Sequence, residues 1–68
     1  VADRDELSQV ERLIRALPEG LRTPLLLSAM EGMSHEEIGA VMDMSAKAVE
    51  VRVYRARKSL KTQLSREG

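Results

Sequence analysis

Sixty-eight residues without a cysteine allow one small domain, with no disulfide or thiolate metal site to support a modest core. The lone aromatic, Tyr54, argues against an aromatic-rich β-sandwich and against a stacking platform for single-stranded nucleic acid. Net charge is zero, but residues 1–50 hold five bases against ten acids while residues 51–68 hold six bases against Glu67 alone.

A whole-chain balance near neutrality ordinarily counts against nucleic-acid binding. The polarised halves restore the option, because a phosphate backbone responds to the local field. No apolar run approaches the roughly 20 residues of a membrane span, and no signal-peptide core is present. Membrane insertion is therefore not expected, and the cytoplasm is the expected compartment. The chain opens on Val1 rather than Met, which reads as a piece of a longer chain.

The composition and apolar spacing predict an all-α domain of four helices. Leu7, Val10, Ile14 and Leu17, with Leu13 beside them, recur at helical spacing over about residues 4–16. Asp3, Asp5 and Glu6 stand at the start of that helix, where acids complement the dipole. Pro18 disfavours a helical Leu17 and can open the next helix from its first turn.

The second helix turns Leu21, Leu25, Leu26, Ala29 and Met30 inward and ends near Gly32. Pro24 falls inside it, and a continuous helix with a local distortion is expected there. Ser34 and Glu37 form the pattern of a capping box, S-x-x-E, which starts a third, short helix with Ile38, Val41 and Met42 inward. The missing side chain at Gly39 suits close approach by a neighbouring helix.

Asp43-Met44-Ser45 reads as a tight break, with Asp43 tolerating a left-handed conformation and Ser45 capping the next helix. The fourth helix is expected from about Ala46 to Gln63, with Val49, Val53, Ala56, Leu60 and Leu64 inward and frayed residues after it. The predicted buried set is Ile14, Leu17, Leu26, Ile38, Val41, Val49, Val53 and Leu60. A short helix, a three-residue turn and a longer helix make a helix-turn-helix over about residues 34–63.

On a helical wheel the fourth helix leaves Lys47, Val51, Tyr54 and Lys58 opposite its apolar row. Arg55 lies on one shoulder, and Glu50 and Lys61 on the other. Bases interleaved with one apolar and one aromatic side chain suit a major groove, where cations meet phosphates or guanine and apolar groups meet thymine methyls. Glu50 can either accept a hydrogen bond from cytosine or pair with Lys47 and temper the charge, the second being favoured.

Three strings then carry a family resemblance. They are Leu17-Pro18-Glu19-Gly20-Leu21-Arg22, then Glu31-Gly32-Met33-Ser34-His35-Glu36-Glu37-Ile38-Gly39, then Val49 through Tyr54-Arg55-Ala56-Arg57-Lys58-Ser59-Leu60. In order and spacing they resemble region 4 of bacterial extracytoplasmic-function sigma factors. The usual pattern there is L-P-x-x-x-R, E-G-x-S-x-E-E-I-A and S-x-x-T-V-x-S-R-x-x-R-A-R-x-x-L.

The resemblance implies a domain of a longer sigma factor, with residues 1–68 as a single helix-turn-helix unit. It implies binding to double-stranded promoter DNA at the −35 element, contact with the RNA polymerase core through the β-subunit flap, and an anti-sigma protein. By position, Ser45, Ala46, Lys47, Glu50, Val51, Tyr54 and Arg55 fall on the family's DNA-facing positions, and His35 and Glu36 fall where it approaches the phosphate backbone. Lys58 extends the basic face.

This chain departs from the pattern at Asp43, where glycine is common. Lys47-Ala48 replaces Gly-Thr, and Glu50-Val51 replaces a basic residue and serine. Arg52 and Arg57 match family arginines but border the core, where ion pairs with acids such as Glu36 or Glu37 are expected ahead of phosphate contacts.

The alternatives are a response-regulator helix-turn-helix and a helical module that binds an acidic protein. An enzyme is not expected. His35 is the only histidine, Glu36 and Glu37 point apart, and the chain offers few of the ligands that transition metals prefer. No cofactor and no small-molecule substrate are expected.

Overall fold

The computed structural model describes the backbone of residues 2–67 and the side chains of residues 9–66. Among the described residues the chain forms α1 (Ala2–Ala16), α2 (Glu19–Ala29), α3 (His35–Met42) and α4 (Ala46–Glu67). The expected placements of Asp3, Asp5, Glu6 and Leu7 side chains lie outside the described residues.

The breaks from α1 to α2 and from α3 to α4, and the start of α3, each have a chemical cause. The Leu17 amide donates to the Ile14 carbonyl at 3.1 Å as α1 closes. Arg22 from α2 then reaches back, its Nη1 donating to the Arg15 carbonyl at 3.0 Å. A helix C-terminus leaves such carbonyls without intrahelical donors, and a guanidinium is a fitting partner. Pro18 stands at the N-cap of α2 rather than within its first turn; its carbonyl accepts from the Leu21 and Arg22 amides, each at 2.9 Å.

The capping box forms as the sequence predicts. Ser34 Oγ accepts from the Glu37 amide at 3.1 Å, and the Ser34 amide donates to Glu37 Oε1 at 2.9 Å. Donation to the carboxylate favours its ionised form, so the Glu37 pKa is lowered, by the Ser34 backbone amide first and its side chain second. Asp43 ends α3 in the left-handed region, φ 58° and ψ 49°. Ser45 starts α4, its Oγ accepting from the Ala48 amide at 3.1 Å.

Gly39 serves the turn itself, not a neighbouring helix. A Cβ at this position would collide with the Met44 carbonyl oxygen, and the Met44 amide donates to the Gly39 carbonyl at 2.8 Å. The chain folds back too tightly there for any side chain.

α4 packs against all three other helices. Its Val49, Val53 and Ala56 are buried with Leu17, Leu25 and Ile38, and Ile14, Leu21, Leu27, Met33, Met42, Met44 and Leu60 pack around them. Of the predicted buried set, Leu17, Ile38, Val49 and Val53 are buried, whereas Ile14, Leu26 and Leu60 are half-buried.

Val41 departs from its prediction, with 67% of its surface exposed. The buried face of α3 runs through Ile38 and Gly39, so its centre lies between them; Met42 falls within that face and Val41 about 110° away. Met30, expected inward, is 77% exposed because it lies about 140° around the helix from buried Leu25. Ala29, at the end of α2, is also exposed. The frayed end expected after Gln63 is instead helical to Glu67.

Candidate nucleic-acid interface

The outward side of α4 matches the predicted wheel. Val51 is 37% and Tyr54 63% exposed, opposite buried Val49, Val53 and Ala56. Lys47, Glu50, Arg55 and Lys58 are exposed along the same helix. Apolar and aromatic surface therefore lies among cations, with nothing among the described residues covering it.

The two helices of the helix-turn-helix meet at an open groove of about 530 Å³. Ser34, His35 and Glu36 line it from the start of α3, Ala46, Lys47 and Glu50 from the start of α4, and Ser28 and Met33 from the preceding segment. The turn thus brings five of the proposed contact residues to one place: His35, Glu36, Ala46, Lys47 and Glu50. Val51, Tyr54, Arg55 and Lys58 continue along α4 away from it. Ser45 stands at the helix start, where its hydroxyl oxygen is engaged in capping.

Lys47 Nζ lies 3.6 Å from Glu50 Oε2, an i,i+3 pair with both side chains largely exposed. Such pairs contribute at most about 0.5 kcal/mol to stability. Their effect here is on the field, since one carboxylate offsets a cation at the groove.

Two family arginines stand otherwise than the sequence reading expected. Arg52 is half-buried and donates from Nη1 to the Gly20 carbonyl at 3.1 Å, not to Glu36 or Glu37. Arg57 is exposed, lining an open surface with Tyr54, Lys58, Lys61 and Arg66. Ser28 and Met33 at the groove were also missed: they precede the helix-turn-helix, and nothing in their spacing marks them as interface residues.

Among the described residues, no cluster of three or more His, Cys, Asp or Glu side chains could hold a metal ion, and no helix is long and apolar enough to cross a membrane.

A tight left-handed turn between two helices, with basic and apolar side chains exposed on the second, defines a helix-turn-helix domain of the kind that reads duplex DNA. The family model described as "Sigma-70, region 4" matches residues 7–60, and the chain belongs to this family.

Among its relatives, the ECF RNA polymerase sigma-E factor of Escherichia coli (strain K12) is 42% identical over 57 residues, covering 82% of this chain and 30% of the relative. The sigma-E factor of Salmonella typhi matches to the same extent. The RNA polymerase sigma-H factor of Pseudomonas aeruginosa is 43% identical over 58 residues, 84% of this chain and 30% of the relative. The chain thus spans under a third of the length of these curated relatives. No solved structure matches it closely. Family membership sets aside the response-regulator alternative and the unrelated interaction module.

Proposed function

We propose that this chain recognises the −35 element of promoters as duplex DNA and helps direct RNA polymerase to the start of transcription. It acts as one helix-turn-helix domain, residues 1–68, of a longer sigma factor, with the motif over about 34–63. The observation that carries this reading is the groove where the start of α3 meets the start of α4, continuous with the exposed basic face of α4.

In this reading α4 enters the major groove by its N-terminal end. Ala46, Lys47, Glu50 and Val51 face the base edges, and Tyr54, Arg55 and Lys58 follow towards the backbone. His35 and Glu36 border the phosphates, where the α3 amides and dipole favour an anion. Ser45 holds the start of α4 in place. The polymerase core, through its β-subunit flap, and an anti-sigma protein are the protein partners of this function, and exposed Met30 and Val41 offer apolar contact surface for such partners. Transcription initiation places the protein in the cytoplasm.

The test is duplex binding across a salt series. A steep linear fall of log affinity with log salt identifies phosphate contacts. Arg55→Ala and Lys47→Ala are expected to weaken binding while leaving the helical circular dichroism and unfolding midpoint in place. Loss of a base contact costs about 1–3 kcal/mol and relaxes preference at one position, whereas loss of a phosphate contact weakens all sequences alike. Binding that ignores both salt and these substitutions would remove α4 as the reader.

A further inference from the structure

α2 carries a proline in its interior. Pro24 has no amide hydrogen, and in a regular helix that hydrogen would bond the carbonyl four residues earlier. The carbonyl deprived of its helical donor is that of Gly20. Its donor comes from another helix: Arg52 of α4 points a guanidinium Nη1 at this oxygen, at 3.1 Å and across 32 residues of sequence. A Cβ at residue 20 would stand 2.6 Å from Arg52 Nη1, so any larger residue there would push the guanidinium off this oxygen. Pro24 itself is among the largest fully buried side chains.

We propose that Arg52 is a positioning residue for DNA recognition, fixing α4 against α2 through the Gly20 carbonyl that Pro24 leaves free. Around this bond α4 is held by Val49, Val53 and Ala56, and apolar burial has no preferred direction. Aliphatic side chains permit a helix to roll or slide by fractions of a turn. A charge-assisted hydrogen bond has a direction and a length, and it acts from Arg52 at the edge of the buried row of α4. Losing it leaves α4 folded but poorly aimed.

The inference rests on α4 being the reader, and the experiment separates the two. Arg52→Met, Pro24→Ala, their double variant and Gly20→Ala are made in the whole chain. Each is measured for unfolding in urea and for binding to a duplex selected by the unaltered chain and to a random-sequence duplex. Arg52→Met is expected to lower the folding equilibrium constant roughly tenfold when residue 24 is proline. The loss should be less than twofold when residue 24 is alanine, whose amide can take the Gly20 carbonyl.

The preference for selected over random duplex should drop several-fold in Arg52→Met and in Gly20→Ala, which displaces the guanidinium without removing it. It should stay low in the double variant, which regains stability but has no bond between α4 and α2, with the salt slope unchanged throughout. Equal losses of stability for Arg52→Met in both backgrounds, or a preference restored in the double variant, would overturn the proposal. So would a salt slope reduced by about one with preference retained, the mark of a phosphate ligand. If Pro24→Ala does not fold, Gly20→Ala decides: unaltered preference there overturns the proposal. If the unaltered chain binds no duplex, the reading of α4 as reader fails, while the urea comparison still decides whether the bond holds α4.

Discussion

Asp43 holds a backbone conformation that most L-residues avoid, with φ at 58°. Its short polar side chain makes the left-handed region tolerable, but glycine has no steric penalty there. Asp43→Gly is therefore expected to stabilise the domain by up to about 1 kcal/mol, read as a rise in urea midpoint at constant m. Gly39→Ala should do the opposite despite alanine's better helix propensity, because the collision is with backbone at Met44, which cannot rotate away. Glu37 supplies a pH dependence. Its folded-state pKa is lowered by the bonds from Ser34, so its contribution is fully present above the ordinary glutamate range and is lost as pH falls through it towards the lowered value. Glu37→Gln keeps an acceptor for the Ser34 amide and should flatten that acid-side loss, measured as urea midpoint against pH.

At the level of the helices, α4 is the hub and α1 the least anchored part. None of the described α1 side chains is fully buried, and Leu17, just beyond its end, provides the buried contact. Native-state hydrogen exchange is expected to show α1 amides opening at lower free energy than those of α3 and the first half of α4. Ser34→Ala should cost about 1 kcal/mol, the usual value of an N-cap, and weaken α3 first. The capping box was legible in the sequence because both partners lie within one turn, and so was the phase of α4, whose apolar row extends over several turns. The exposure of Val41 was not legible: with only two turns in α3, Ile38, Val41 and Met42 fit more than one buried face. Nor could the sequence show Arg52 reaching Gly20, since two residues on different helices meet only after α2 and α4 have packed. Of the proposed contact residues, the row from Lys47 to Lys58 followed from α4 alone, whereas His35 and Glu36 needed the turn geometry to join it.

For the molecule as a whole, the separation of charge matters more than its sum. The bases of residues 51–68 lie on one helix, and the acids are concentrated in the rest. DNA affinity should therefore fall with salt as it does for a cationic protein, although the net charge is zero. Lys58→Ala is expected to reduce the log–log slope by about 0.9 if it meets a phosphate, measured by fluorescence anisotropy on a short duplex. The same arrangement gives the Lys47–Glu50 pair a role in time as well as in strength. A regulator searching a genome spends most of its encounters on wrong sequences, and the grip of those encounters is electrostatic. A carboxylate 3.6 Å from a leading cation is expected to loosen every such encounter, so that the domain leaves mismatched sites sooner. Glu50→Gln should lengthen residence on random-sequence DNA and slow arrival at the correct site, making the acid a determinant of how quickly a promoter is found.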